Sequence, residues 1–522
     1  MDEASNSPEH LLVVVSKDKF VLRNVGSTWV VTLATIAATY VLTPFVIHRL
    51  GHEGYGFWTL ITSMTGYISL LALGVPMACV RYLAQHVAER DIKKINEAIG
   101  SCAGLYLMMG AVALLVGGAL TGLFLLIYDV PPALQRDVVV ACGLMVTLVS
   151  AAFIGLLPEG IMFAHHDFVV RNVIKIGGVL LRLSLTIGLL ILQASLMVLA
   201  LVQIGCFIFD FSLSWLLIRR RYPGVRISLR DFDRRMVRQI LSFSLYVLLL
   251  NAGARLCFET DALVIGAFVG VDSIPYYAVA NSLIVYLMDF VIAIAAVIMP
   301  MTTRLRTEGD WAQLREIFLK WSKVALSLSV MVGLFLIVLG PRFLGWWIDP
   351  SFEAPAGRVL QILMVSSLLF LPVRGVAMPV LLGLGHPKLP TLTFLATGLL
   401  NLVLSIGLAR PLGLVGVALG TAIPNVLFAV VILIVACRDL EIPVSHYLAY
   451  VVPRAALGTL PVLALLLWFK IGLRVQTITG LAAAGSAMVV LFGLTWIFFV
   501  YRNDPYVDLR NHFVRFRAWG RA

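Results

Sequence analysis

Ionisable side chains stand inside an apolar stretch, residues 249–270, that reads LLNAGARLCFETDALVIGAFVG. Asn251, Arg255 and Glu259 recur at four-residue spacing, so a helix would align them in one polar stripe. Asp261 lies about 200° around the helix from Glu259, so it faces elsewhere or follows a distortion. Ionisable groups are costly in hydrocarbon and usually mark a function. Two interpretations stay open: an anion-binding cavity lined by Arg255, or a structural ion pair between Arg255 and Glu259.

Other charged residues also fall inside apolar segments. A guanidinium group binds phosphate oxygens bidentately and stays charged when partly dehydrated. The predicted contacts to an anionic head group are therefore Arg255, Arg182, Arg374 and Asn251. Carboxylates in a low dielectric can couple transport to a proton or Na⁺. The candidates for coupling or for lining a polar cavity are Asp261, Glu259, Asp289 and Asp210. The alternatives are ion pairs, snorkelling arginines and hydrogen bonds that hold helices together.

The composition is that of a membrane protein. Of the 522 residues, 60% are hydrophobic and 13% are charged, and the mean hydropathy is +0.96. Soluble domains have about 25% charged residues. Apolar runs long enough to cross a bilayer recur along the whole chain. We predict an all-α polytopic membrane protein with fourteen transmembrane helices. The net charge of +12 does not predict nucleic-acid binding, because almost no extramembrane surface is left to hold a nucleic acid.

The sequence offers little for metal binding or catalysis. Its six cysteines are isolated and form no CxxC pair, so neither a zinc site nor a disulfide framework is predicted. No phosphate-binding loop of an ATPase occurs, and no loop is long enough to hold a catalytic site. We expect a protein that is not an enzyme, with no cofactor other than a coupling ion, H⁺ or Na⁺.

Positive charge is unevenly distributed over the predicted loops. The loops on the side of the termini hold 27 Lys and Arg residues, and the opposite loops hold seven. Cytoplasmic loops are the ones enriched in Lys and Arg. The bias therefore predicts a multi-pass protein of the bacterial inner membrane with both termini in the cytoplasm.

An internal repeat appears when the chain is compared with itself at an offset of 219 residues. Apolar matches mean little in a membrane protein, but charged and glycine matches at one offset are informative. They include Gly51 with Gly270, Glu89 with Glu308, and Asp91 with Asp310. We interpret spans 1–6 and 7–12 as two copies of one six-helix lobe. Because six is even, the repeat is parallel, and two such lobes suit alternating access around a midplane site.

The predicted organisation places spans 13 and 14 after the two lobes. The segments are a cytoplasmic N-tail (1–23), an N-lobe (24–218), a basic cytoplasmic linker (219–239), a C-lobe (240–437), spans 13–14 (438–501) and a basic cytoplasmic tail (502–522).

Two motifs resemble polysaccharide-biosynthesis flippases similar to Wzx, in the multidrug/oligosaccharidyl-lipid/polysaccharide exporter superfamily. The stretch RLGHEGYGFWTLITSMTGYISLLALGVPMACVRYLAQH resembles the family's span 1–2 region, with Gly74 near the end of span 2 and Arg81–Tyr82 beginning the next helix. TDALVIGAFVGVDSIPYYAVANSL resembles the span 7–8 signature, in which Asp261 occupies the family's T-D position. The resemblance implies two six-helix lobes and export of undecaprenyl-pyrophosphate-linked oligosaccharides. It covers roughly residues 20–440.

We therefore predict an alternating-access flippase for O-antigen, capsule or exopolysaccharide biosynthesis. Its expected partners are the lipid-linked oligosaccharide, membrane lipids, and glycosyltransferases and a periplasmic polymerase of the same pathway. A cation-coupled drug or metabolite antiporter of the MATE type is one alternative, although such a cavity should be dominated by acids. A membrane-embedded glycan polymerase or ligase is the other.

Overall fold

A computed structural model describes residues 8–72 and 74–506 of the chain, without the side chains of residues 8–25, 239, 241–248, 250, 293 and 296. Throughout this part of the chain the regular structure is helical, and no β-strand occurs. The predicted all-α class is therefore confirmed. Most of the predicted basic tail lies outside the described residues.

The first half of the chain forms long helices joined by short turns. Their bounds are α1 Pro8–Ile68, α2 Val75–Glu89, α3 Ile92–Ile127, α4 Pro132–Ala164, α5 Phe168–Leu192, α6 Leu196–Arg221 and α7 Arg234–Phe258. Single 3₁₀ turns follow α1 at Ser69–Ala72 and precede α7 at Leu229–Asp231.

The second half is divided more finely. Its helices are α8 Thr260–Phe268, α9 Ile274–Glu308, α10 Trp311–Val338, α11 Gly340–Trp347, α12 Pro355–Pro372, α13 Met378–Gly383, α14 Lys388–Asp439, α15 Val444–Val451, α16 Pro453–Leu467 and α17 Ile478–Thr495. Turns of π-helix occur at Val373–Ala377, Trp468–Gly472 and Trp496–Val500. The chain divides into two compact units, Met1–Asn251 and Ala252–Ala522. That boundary lies within α7, beyond the basic linker.

Eleven helices in the described residues are long and apolar enough to cross a membrane. Two of them each contain two predicted spans. In α1 the spans meet at Gly51, where φ is 73° and ψ is 175°, and in α14 they meet at Gly413, where φ is 58°. Positive φ is a conformation that glycine adopts without steric cost. Predicted span 7 corresponds to α7 and α8 and is not among the eleven, so the count of fourteen stays a prediction.

The helix ends repeat at the offset found in the sequence. Backbone φ is positive at Gly51 and Gly270, at Arg90 and Gly309, and at His166 and Gly385, and each pair is 219 residues apart. Asp91 and Asp310, which follow Arg90 and Gly309, cap the start of the next helix in each half. Asp91 accepts a hydrogen bond from the Lys94 amide at 3.1 Å, and Asp310 accepts one from the Gln313 amide at 2.9 Å. Equivalent caps at a constant offset support a duplicated six-helix unit.

Apolar side chains cover much of the outer surface of these helices. Leu115 is 75% exposed, Leu126 84% and Leu192 82%. Such surfaces are unfavourable in water. Lipid tails solvate them at no such cost, because the tails are as apolar as leucine itself. This pattern fits helices that span a bilayer.

Helices α16 and α17 are attached to α10 by a buried ion pair. Lys323 of α10 is fully buried, forms an ion pair with Asp504 just after the last π turn, and donates to the Val500 carbonyl at 3.3 Å. Its ammonium lies 4.5 Å from the centre of the Tyr450 ring, and the Tyr450 hydroxyl donates to Asp504 at 2.7 Å. Burial raises the pKa of Asp504, but the hydrogen bonds from Lys323 and Tyr450 outweigh it and hold that pKa below the ordinary aspartate range.

Candidate functional site

The polar stripe predicted in span 7 begins on one helix and ends at a break. Helix α7 ends at Phe258, Glu259 has φ −123° and ψ −8°, and α8 begins at Thr260. Arg255 and Glu259 form an ion pair in which each side chain keeps about a third of its exposure, 33% and 31%. The Glu259 Oε2 atom is buried and has no hydrogen-bond partner among the described residues. Asp261 therefore follows a distortion, which was one of the two outcomes expected from the spacing.

Asp261 lies in a buried cluster of hydroxyl and amide groups. Its side chain is 3% exposed and accepts hydrogen bonds from the Tyr277 hydroxyl at 2.6 Å and from the Thr421 hydroxyl at about 3.0 Å. The Asn401 side-chain amide donates to Thr421 at 3.0 Å, and Ser405 donates to the Asn401 oxygen at 3.4 Å. No cation forms an ion pair with Asp261 in the described part of the chain, so its charge is stabilised by neutral donors alone.

Glycines let the helices of this cluster approach each other closely. A side chain on Gly253 of α7 would come within 3.1 Å of the α14 backbone at Leu395, and one on Gly398 would reach within 2.6 Å of Leu256. Small residues at a crossing allow membrane helices to pack backbone to backbone. The crossing brings the break after α7 beside the first half of α14, where Asn401 lies.

Arg374 occupies the π-helical turn between α12 and α13. Its guanidinium lies 4.9 Å from the centre of the Phe394 ring, one Nη donates to the Met378 sulfur at 2.9 Å, and its buried Nε has no partner. Single π turns often occur at functional sites. Among the residues the structure describes, no carboxylate forms an ion pair with this arginine, so its charge is held by an aromatic face and a thioether.

Arg182 of α5 lines a cavity of about 100 Å³ in the first unit, together with side chains of α1 and α6. The described residues provide no ion-pair partner for it. The sequence left open whether Arg182 pairs with Asp210, and the structure pairs Asp210 with another residue instead.

That residue is Arg171, whose side chain is 6% exposed and donates to both Asp210 oxygens at 2.7 Å. Arg171 also contacts Glu159 at 3.4 Å, and Lys175 contacts Glu159 at 2.8 Å. Two cations and two anions thus neutralise one another between α4, α5 and α6. Glu159 and Arg171 lie between the apolar stretches of predicted spans 4 and 5, and α4 and α5 continue through them.

The remaining candidates lie apart from these clusters. Asn251 and Asp289 are both exposed. The structure brings Arg255 and Glu259 together and places Asp261 with three neutral residues that charge patterns could not identify: Tyr277, Asn401 and Thr421. Asn401 lies 219 residues after Arg182, which is the offset of the internal repeat. Within the described residues, no group of three or more His, Cys, Asp or Glu side chains is arranged to hold a metal ion.

Curated relatives match most of the chain at low identity. The membrane protein EpsK of Bacillus subtilis is 23% identical over 401 residues, which are 74% of this chain and 77% of EpsK. A protein of Shigella flexneri named as an O-antigen transporter is 20% identical over 393 residues, 74% of this chain and 91% of that protein.

Solved structures share the fold. The lipid II flippase MurJ in an inward closed conformation superposes with a TM-score of 0.66 at 12% identity, covering 92% of this chain and 99% of that one. A multidrug resistance MATE transporter of the MOP superfamily, inward-facing, gives a TM-score of 0.64 at 19% identity, covering 78% of this chain and 98% of that one. Identities this low establish a common fold only.

The family model described as polysaccharide biosynthesis protein matches residues 21–306, more than half of the chain. This match covers the first six predicted spans, the break at Glu259 and most of α9. The relatives, the matched length and the shared fold agree that this chain is a multi-pass membrane protein of the polysaccharide biosynthesis family, with the fold of the MOP superfamily.

Proposed function

We propose that the chain is an alternating-access flippase that moves an undecaprenyl-pyrophosphate-linked oligosaccharide from the cytoplasmic to the periplasmic leaflet, for O-antigen, capsule or exopolysaccharide biosynthesis. Family membership supports a role in polysaccharide biosynthesis. The relative named as an O-antigen transporter supports transport rather than catalysis. The proposed location is the bacterial inner membrane, with both termini cytoplasmic.

The observation that carries the proposal is that two arginines inside the membrane segments lack a carboxylate partner in the described part of the chain. Arg182 and Arg374 have no carboxylate partner among the described residues, whereas Glu259 is paired with Arg255 and Asp210 with Arg171. A negatively charged ligand would provide these arginines with a counter-charge. Phosphate oxygens fit the geometry of the guanidinium group. An organic cation would leave both arginines without a counter-charge.

Coupling to an ion is assigned to Asp261. It is the buried acid of the described chain that has hydrogen-bond donors but no ion-pair partner. A carboxylate in such a place gains from binding a proton or Na⁺. Asp289 is the second candidate because it is also unpaired, although it is exposed. Net flux needs such an energy source or a downstream sink, since a ligand alone only shifts populations.

The alternatives predict different activities. A MATE-like antiporter would lower the sensitivity of a drug-sensitive strain to organic cations. A membrane-embedded polymerase or ligase would change the glycan linkages when purified protein is mixed with lipid-linked sugar. Under the flippase proposal both assays give no signal.

The test uses a strain that lacks this protein and is complemented with variants. Arg255→Glu should abolish surface glycan, and lipid-linked oligosaccharide should accumulate in the cytoplasmic leaflet, while immunoblots show normal membrane levels. Because the substitution also breaks the ion pair with Glu259, the matched control is the exchange Arg255→Glu with Glu259→Arg, which keeps a pair with its order reversed.

The exchange separates the two roles of Arg255. If the pair is only structural, the exchanged protein exports glycan normally. If Arg255 contacts the head group, the exchanged protein folds but export stays low. Normal export by the single Arg255→Glu variant would remove Arg255 from the site. Normal surface glycan and no accumulation of lipid-linked oligosaccharide in the strain that lacks the protein would refute the flippase function.

A further inference from the structure

The cavity of about 100 Å³ in the first unit, here called the N-lobe pocket, lies between α1, α5 and α6. Its polar lining consists of Thr39, Thr43, Arg182, Thr186 and Gln203. Tyr55 and Trp58 also line it, and both pack against a cluster of buried aliphatic side chains. None of the described residues that line the pocket is acidic, and Arg182 is the one among them that carries a formal charge.

The acids of α4 and α6 are already engaged, and Glu53 of α1 is exposed and does not line the pocket. Glu159 and Asp210 neutralise Lys175 and Arg171. Asp137 accepts hydrogen bonds from the Ser195 hydroxyl at 2.6 Å and the Leu196 amide at 2.7 Å, at the start of α6. Moving any of them to Arg182 would leave another buried charge or helix end without its partner. An uncompensated charge in a membrane interior is costly, so the counter-charge for Arg182 has to come from a bound group.

Some hydrogen-bond donors of the pocket have an acceptor among the described residues and others have none. Thr39 and Thr43 donate their hydroxyl hydrogens to helix carbonyls one turn earlier, at 2.9 Å and 2.8 Å. Thr186, which is 3% exposed, and Gln203 make no hydrogen bond within the described structure. Arg182, Thr186 and Gln203 therefore offer donors from two helices and have no acceptor among the described residues. Donors without acceptors around one cation are the arrangement that binds an oxyanion.

The volume limits what can enter. Pockets for drug-sized molecules measure about 300–1,000 Å³, so about 100 Å³ excludes a sugar chain. A cavity needs only some 10–15 Å³ to hold one water molecule, so this one has room for a small anion.

We propose that the N-lobe pocket binds one anionic group of phosphate size, with Arg182 as its counter-charge and Thr186 and Gln203 as neutral donors. That the group belongs to the transported lipid rests on the proposed function, and free inorganic phosphate would make the same contacts. The site recognises the charged group and does not contact the sugar. Its affinity for the anion is therefore independent of the attached glycan.

The experiment measures binding without transport. Full-length protein in lipid nanodiscs is titrated with inorganic phosphate and, separately, with undecaprenyl phosphate, and tryptophan fluorescence is recorded. Trp58 lines the pocket, so the difference between the wild type and Trp58→Phe isolates its signal. We expect a saturable signal that weakens at least tenfold in Arg182→Gln and about tenfold in Thr186→Val, since a hydrogen bond to a charged group contributes about 1.5–3 kcal/mol. Arg182→Lys, which keeps the charge, should bind better than Arg182→Gln.

Arg220→Gln is the matched control, because Arg220 is exposed at the end of α6, and its binding should equal that of the wild type. Equal affinity in Arg182→Gln and wild type, or no saturable signal from either probe, overturns the proposal. Thermal melting of each variant shows whether it is folded, and Thr186→Val tests the site even if Arg182→Gln does not fold.

The two probes separate the sources of the anion. If undecaprenyl phosphate binds and displaces inorganic phosphate, the pocket receives the lipid's own phosphate. If only inorganic phosphate binds, the pocket is a site for the free ion and its assignment to the lipid is wrong. A failure of the proposed function would give a different result. The protein would still bind phosphate, but deleting the protein would leave glycan export unchanged.

Discussion

At the scale of single residues, the intramembrane charges fall into two classes. Arg255 and Asp210 have partners of opposite sign, whereas Arg182, Arg374 and Asp261 have none in the described chain. Removing one partner of a buried ion pair destabilises a protein. A buried charge that has no partner in the native structure lowers its stability in the same way. The unpaired residues are therefore the ones whose presence calls for a ligand or an ion.

Asp261 provides the test of ion coupling. Asp261→Asn keeps the size of the side chain and removes its charge, so transport in proteoliposomes should lose its dependence on an imposed proton or Na⁺ gradient. The measurement is the initial flipping rate of a lipid-linked sugar with and without the gradient. Asp289→Asn is the comparator. A gradient response that survives in Asp261→Asn and disappears in Asp289→Asn would transfer the coupling role to Asp289.

Tyr277→Phe distinguishes a coupling role from a packing role. It removes one hydrogen bond to Asp261, which costs about 1.5–3 kcal/mol for a charged acceptor, and leaves the charge in place. We expect the melting temperature to fall slightly while the gradient dependence remains. If Tyr277→Phe and Asp261→Asn lose transport in proportion to their loss of stability, the cluster is a structural one.

At the scale of helices, small residues and one buried ion pair decide which elements stay together. Gly253 and Gly398 let α7 and α14 cross closely. The Lys323–Asp504 pair joins α10 to the end of the chain's last long apolar helix. Apolar side chains of α10, α16 and α17 also pack in one cluster, which includes Val330, Leu466 and Met488. The last two predicted spans are therefore an integral part of the second unit.

A double-mutant cycle measures this attachment. Asp504→Asn should destabilise the protein by about 3–5 kcal/mol, because it leaves a fully buried ammonium without its counter-charge. Lys323→Met combined with Asp504→Asn should recover a large part of that loss. Thermal unfolding in detergent is the readout. The control is the Arg315–Glu441 pair, whose side chains are 39% and 81% exposed, and its loss should cost less than about 1 kcal/mol. Equal losses for both pairs would contradict the role of burial.

At the scale of the whole molecule, the predicted duplication has counterparts in the backbone. The turns at Gly51 and Gly270 and the caps at Asp91 and Asp310 recur at the same offset. Helix caps depend on local sequence and survive when apolar residues between them are exchanged freely. That is why the duplication remains visible in the backbone although little identity is left.

The charge bias of the loops predicts the orientation in the membrane, and this prediction can be tested directly. Glu53 and Glu308 are both exposed, and they lie in loops predicted on opposite sides of the membrane. In intact spheroplasts, a membrane-impermeant maleimide should label Glu53→Cys and not Glu308→Cys. Permeabilised cells, in which both should react, are the control. The reverse pattern would invert the predicted topology.

The sequence by itself determined the all-α fold class, the membrane location and the family, and it predicts the duplication. These properties depend on the length of apolar runs, on charge counts and on local glycine and helix-cap signals. All of these are features of residues close together in the sequence. It also identified Arg182, Arg374 and Asp261 as ionisable residues inside apolar segments, where charge is costly.

Only the tertiary structure decided which charges are satisfied. Arg171, rather than Arg182, reaches Asp210 because α5 and α6 pack with those turns facing each other. Lys323 finds Asp504 across 181 residues of chain, and no periodic pattern links two positions so far apart. The neutral partners of Asp261 are Tyr277 of α9 and Thr421 of α14. Hydrogen bonding and ion pairing act over about 3 Å, so they depend on packing between distant segments, which composition and spacing do not encode.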